Sequence, residues 1–158
     1  MDYPFKQLFM RKIISAAIAT FFFSIIYAWL KPDLFGVGSI YSIGDHSREA
    51  FRMINVYMLY AAPAIYIYGI STSLISELIA REVTHRQWLR LTVSTIFHCV
   101  FGLILLYISL LASLLFLLCD TMLAINMKKP LNLKITIASP LFPLCLWFMS
   151  VAYINIAG

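Results

Sequence analysis

The chain has 158 residues, of which 62% are hydrophobic and only 12% charged, whereas a soluble domain carries charge on about a quarter of its residues to coat its surface. This excludes a soluble enzyme, a disordered tail and a disulfide-rich secreted scaffold, and places the chain in a bilayer. The formal net charge of +5 would suggest nucleic acid in a soluble protein; here the basic residues sit beside apolar runs, where they set topology and touch anionic headgroups, and no nucleic-acid partner is expected.

Lys6, Arg11 and Lys12 precede an uncharged run from Ile13 to Leu30 that is closed by Trp29 and Lys31-Pro32. Its length predicts a first span, 13–30. A cleaved signal peptide is the competing reading, but the run is long for its apolar region and no A-x-A-like site follows, so an uncleaved helix is expected. Residues 32–52, with Gly36, Gly38, Gly44, Asp33, Asp45 and Glu49 and no apolar period, read as a surface loop. Within it, Asp45-His46-Ser47 brings together the residue types of a triad, but contiguity alone does not make one.

The second apolar run predicts a span over 53–79, long enough to cross with tilt. Pro63 lies inside it and removes an N–H, so a kink is expected about one turn earlier. Tyr57, Tyr60, Tyr66, Tyr68, Ser71, Thr72, Ser73 and Ser76 make this the most polar stretch of the span. Gly69 and Ser73, four apart, form a small-residue face for close helix packing, on another helix of the bundle or on a second copy.

From Glu77 to Arg90 the connector carries two i, i+4 acid–base pairs, Glu77/Arg81 and Glu82/Arg86, which predict that it stays helical in water. The third run predicts a span over 92–118, with an apolar register continuing past Asp120 to Met127. One helix over that length measures about 54 Å at 1.5 Å per residue, against a hydrocarbon core of about 30 Å. It must then project or bend near Asp120; the alternative is two short spans reversing near Ser109 to Ser113, where no Gly, Pro or Asn signals a turn. The last run predicts a span over 135–157, with Ser139-Pro140 as an N-cap and first-turn pair preceded by interfacial residues.

Four spans put both termini on one side. Lys6, Arg11, Lys12, Arg81, Arg86 and Arg90 would then face Lys31, Arg48, Arg52, Lys128, Lys129 and Lys134, a tie. The cluster directly before the first span breaks the tie and predicts both termini in the cytoplasm.

The first span has no acid, and Glu77 and Asp120 fall near predicted ends, so His98 is the one titratable group well inside a run. It is read either as a proton relay or ligand contact, or as a neutral histidine hydrogen-bonded across a helix interface. Asn55, Asn126 and Asn155 fall under the second reading. Cys99, Cys119 and Cys145 lack metal-ligand spacing, and His98-Cys99 side chains diverge by about 100° on a helix, so all three thiols read as packing groups. No nucleophile with a base, paired carboxylates, metal ligands or phosphate loop appears, so neither a cofactor nor a metal is expected.

The stretches Phe21 to Tyr27, Met58 to Ser73, Arg86-Gln87-Trp88-Leu89-Arg90 and His98 to Gly102 resemble an uncharacterised family of small multi-pass membrane proteins from low-GC Gram-positive bacteria. The resemblance implies a cell-membrane location and several spans, and no activity. The sequence thus predicts an all-α bundle of four transmembrane helices in one membrane domain, 1–158. The role expected is non-enzymatic, a membrane interaction or regulatory protein with a homo-oligomer or another membrane protein as partner, through Gly69 and Ser73. The alternatives are a small transporter or channel using His98 and an enzyme acting on lipid headgroups through Arg81, His85, Arg86 and Arg90.

Overall fold

The structure, a computed structural model, describes residues 4–33, 43–84, 86–104, 106–126 and 130–157. All regular elements among them are helical: α1 Phe5–Leu30, α2 Ile43–Ala64, a π-helical stretch Ile65–Gly69, α3 Ile70–Val83, α4 Gln87–Ile104, α5 Leu106–Asn126, α6 Leu133–Ala138 and α7 Leu141–Ala157. Four helical segments are long and apolar enough to cross a membrane, namely Phe5–Leu30, Ile43–Val83, Ile108–Asn126 and Leu133–Ile156. The chain is an all-α membrane bundle.

Neither Gly nor Pro interrupts α1, which begins eight residues before the expected 13–30 span. The Pro4 carbonyl accepts from the Gln7 and Leu8 amides at 2.9 and 3.2 Å. The helix stops at Lys31, because the residue before a proline disfavours helical geometry; Lys31 is extended toward Pro32 at φ −136° and ψ 68°. Around α1, Ala16, Ala17, Ala19 and Ala28 are fully buried, small enough for the neighbouring helices to approach closely.

The second span is a continuous 41-residue helix, Ile43–Val83, so the expected loop is shorter than 32–52; its residues 34–42 lie outside the described ones. Asp45-His46-Ser47 falls in the first turn of α2, where the Ser47 hydroxyl donates to the Ile43 carbonyl and the His46 ring lies 5.2 Å from that of Trp29. The irregularity at Pro63 appears after the proline rather than one turn before it. Over Ile65–Gly69 the backbone widens, and the Ile70 amide reaches back to the Ile65 carbonyl, the i to i+5 bond of a π turn.

The connector departs from expectation. Glu77 and Arg81 pair at 3.1 Å, but α3 ends at Val83 and Thr84 is extended, at φ −155° and ψ 143°. The second i, i+4 pair therefore spans a break in the helix, and the Arg86 amide donates instead to the Thr84 hydroxyl at 3.2 Å. His85 lies outside the described residues.

The largest difference lies in the third run, which is neither one projecting helix nor one bent at Asp120. It forms an antiparallel hairpin whose reversal falls between Ile104 and Leu106, ahead of the Ser109 to Ser113 alternative. The pairing is fixed by the Ser113 hydroxyl, which donates to the His98 carbonyl at 2.8 Å, by a His98–Phe116 ring separation of 5.9 Å, and by Gly102 against Ser113. The fourth crossing segment, Leu133–Ile156, begins with α6, so the residues before Ser139-Pro140 that are expected to be interfacial are helical and part of it. The Asn132 side chain caps α6 by accepting from the Lys134 amide at 3.0 Å. Ser139 does not act as a side-chain cap for α7; its hydroxyl donates back to the Thr136 carbonyl at 2.8 Å.

The direction of each segment follows from these contacts. Gln7 exchanges hydrogen bonds with Leu131 just ahead of α6, whereas the Phe51 ring near the start of α2 packs at a tilt against that of Tyr153 near the end of α7, with centroids 4.3 Å apart. Segments α1, α2–α3, α4, α5 and α6–α7 alternate in direction, so the first turn of α1 and the last turn of α7 lie at opposite ends of the bundle. The expectation that both termini share one side of a membrane rested on four passes; within the bundle the two terminal turns stand at opposite ends.

Candidate functional site

Two polar features lie inside this apolar bundle. The first is a charge network. Arg11 stands six residues into α1, Glu77 six before the end of α3 and Asp120 six before the end of α5, each about 9 Å along its helix from the same end of the bundle. Arg11 Nε and Nη2 donate to Asp120 Oδ1 and Oδ2 at 2.8 and 3.1 Å, a forked pairing, and Nη2 also donates to Glu77 Oε2 at 2.6 Å. Lys12 Nζ lies 2.7 Å from Asp120 Oδ2 and 2.8 Å from Glu77 Oε2. Ser15 Oγ lies 3.3 Å from Asp120 Oδ1, and Arg81 joins from the outer side through Glu77.

The Lys12 and Arg11 side chains are only 1% and 5% exposed, so the sequence expectation that they mark an interface is corrected. They are the inward anchors of α1. Two cations against two carboxylates neutralise the centre, and each charge has its partners, which is what makes their burial tolerable. Glu77 stands near the end of the second span, and Asp120 looks like an end residue only when the third run is taken as one span; with α4 and α5 as separate helices both reach the level of Arg11.

The second feature is a cleft of about 500 Å³ between the second span and the α4–α5 hairpin, with Phe23 of α1 at its back. Its walls are mainly apolar: Phe23, Val56, Ile65, Phe101, Ile108 and Phe116. Tyr57, Tyr60, Tyr68, Thr72, His98 and Ser113 bring polar groups to it. Three of these have partners within the chain: Tyr68 donates to the Phe101 carbonyl at 3.1 Å, Thr72 to the Tyr68 carbonyl at 2.9 Å and Ser113 to that of His98. Two others, the Tyr57 hydroxyl and His98 Nδ1, are buried without a hydrogen-bond partner, on residues 5% and 4% exposed. His98 is also within electrostatic reach of Lys12, Asp120 and Glu77, so its end of the cleft borders the charge network.

The other expected site residues distribute as follows. Ser73 is fully buried and Gly69 faces Phe116 of α5, 3.7 Å from where a Cβ would stand. At Gly69 the small-residue face packs on another helix of this chain, α5, the first of the two alternatives offered by the sequence. Arg81 is held by Glu77, Arg90 Nε donates to the Thr84 carbonyl at 2.9 Å, and Arg86 is exposed. These three do not converge on a shared site. Asn55 accepts from Ser150 at 2.7 Å and ties α2 to α7, while Asn126 and Asn155 donate to carbonyls of their own helices. The cysteines are free thiols, and no group of three metal-ligating side chains occurs among the described residues.

The chain matches no protein-family model, no curated protein and no solved structure. Its chemistry is therefore read from these two features alone.

Proposed function

We propose that the chain is a non-enzymatic, multi-pass protein of the bacterial plasma membrane that takes a small membrane-soluble molecule into the cleft between its second span and its α4–α5 hairpin, as a carrier or binding protein. The observation that supports this is the cleft itself, whose volume is in the range of small-molecule sites and whose mainly apolar wall is combined with a few placed polar groups. An interaction partner seated on Gly69 and Ser73 has less support, since Phe116 already occupies that face.

The test is saturable binding of a fluorescent alkyl-chain probe to the protein in lipid nanodiscs, above its partition into empty discs. Ala61 lines the cleft, and Ala61→Phe is expected to weaken binding at least tenfold by filling it. Equal binding by the wild type and Ala61→Phe counts against the cleft.

Orientation belongs to the same proposal. Among the described residues, the end of the bundle where α1 starts holds Lys6, Arg11, Lys12, Arg81, Arg86, Arg90 and Lys134, against Lys31, Arg48 and Arg52 at the other. Seven against three replaces the former tie, and the basic end belongs in the cytoplasm. The expected result is an N-terminal tag shielded in intact cells and a C-terminal tag accessible from outside. Both tags responding alike would show an even number of crossings.

A further inference from the structure

We infer that the cleft is built for one extended hydrocarbon chain bearing a neutral, oxygen-containing headgroup, seated with that headgroup at His98; the inference rests on the cleft's role as a ligand site proposed above. Its shape comes first. The lining positions on the second span run from Val56 to Thr72, roughly 24 Å of helix at 1.5 Å per residue. A cleft of about 500 Å³ drawn out over that length follows the length of an extended alkyl or isoprenyl chain.

The headgroup follows from the polar atoms. No charged side chain is among the described residues lining the cleft. A carboxylate, phosphate or ammonium would therefore enter without a counter-ion, which is costly in so apolar a site. What the cleft offers is hydrogen bonding from groups that lack partners. His98 Nδ1 is buried and unsatisfied although the carbonyl of the same residue is bonded to Ser113. A neutral imidazole nitrogen donates in one tautomer and accepts in the other, so it suits a carbonyl or a hydroxyl oxygen alike. The buried Tyr57 hydroxyl, also unsatisfied, stands toward the opposite end of the cleft, about 22 Å of helix from Thr72. His98 is the better seat for the headgroup because it borders the charged, basic end of the bundle, whereas Tyr57 is surrounded by the rings of Phe23 and Tyr27 at 6.0 and 5.1 Å. The hydrocarbon chain then runs from His98 toward Tyr57 along the apolar wall.

The experiment compares three labelled probes of equal chain length in nanodiscs: hexadecanol, palmitate at pH 8 and hexadecyltrimethylammonium. Hexadecanol is expected to bind saturably and at least tenfold more tightly than either charged probe. It should also perturb the His98 imidazole signal in nitrogen NMR, assigned by its loss in His98→Phe. That variant should weaken hexadecanol at least tenfold while leaving the weak binding of the charged probes unchanged. If all three probes bind equally and Ala61→Phe abolishes each, the cleft is a ligand site and the neutral-headgroup assignment is wrong. If no probe binds saturably, both readings fall.

Discussion

Asp120→Asn will destabilise the folded bundle by about 3 kcal/mol, the lower end of the range for removing one member of a buried ion pair. The substitution keeps the shape of the side chain, removes its charge and turns one of its two acceptor oxygens into an NH2 donor facing Arg11 and Lys12. Arg11 and Lys12, 5% and 1% exposed, lose one of their two carboxylates, and their charge is then only half compensated in an apolar surrounding. Glu77 still reaches both cations, which is why the upper end of the range is not expected. Glu77→Gln should cost less, because Glu77 is 20% exposed against 10% for Asp120 and its surroundings are nearer to water. Unfolding in mixed micelles gives both values. The double variant Lys12→Met/Asp120→Asn should recover more than about 1 kcal/mol of the loss, since it restores one cation to one carboxylate. A change within about 0.5 kcal/mol for Asp120→Asn would mean that water reaches the network and that it does not hold α1 in place.

The same network shows where sequence reasoning stopped. Apolar run length identified the membrane bundle and the approximate spans because burial in lipid acts on composition alone, and composition is visible in any window. The partners of Arg11 lie 66 and 109 residues away, and no local pattern carries that information. The decisive error was the third run. Its length against the bilayer showed that one straight span could not hold it, but the chain reverses at residues 104–106 without a proline or an Asn-Gly turn, so the usual punctuation is missing. One misplaced reversal moved Asp120 to a predicted end and hid the ion pairs. His98 was legible because an ionisable residue inside an apolar run is rare whatever the topology. The cleft beside it was not, since it exists only between α4 and the second span.

Gly102 carries the hairpin, and Gly102→Ala will destabilise it by about 1–3 kcal/mol, the usual range for overpacking a filled site. A Cβ there would stand 2.9 Å from the Ser113 Cβ and 3.4 Å from the Leu110 Cα. The first distance is too short for two carbons, and Ser113 cannot move away freely because its hydroxyl holds the His98 carbonyl at 2.8 Å. Gly69→Ala is the control. It adds the same methyl group to the same bundle, but its Cβ meets Phe116 at 3.7 Å, an ordinary contact, and the gain in helix propensity of about 1 kcal/mol makes it neutral to stabilising. If the two substitutions have equal effects, close approach at Gly102 is not what joins α4 to α5. Removing the opposing side chain supplies the second arm: Ser113→Gly in the Gly102→Ala background should recover part of the loss, although it also removes the bond to His98. Because Gly102, Ser113 and His98 all line the cleft, separating the hairpin also displaces the His98 imidazole. Gly102→Ala should therefore lower alkyl-probe binding as well as stability, whereas Gly69→Ala, whose methyl group meets Phe116 without a clash, should leave stability intact.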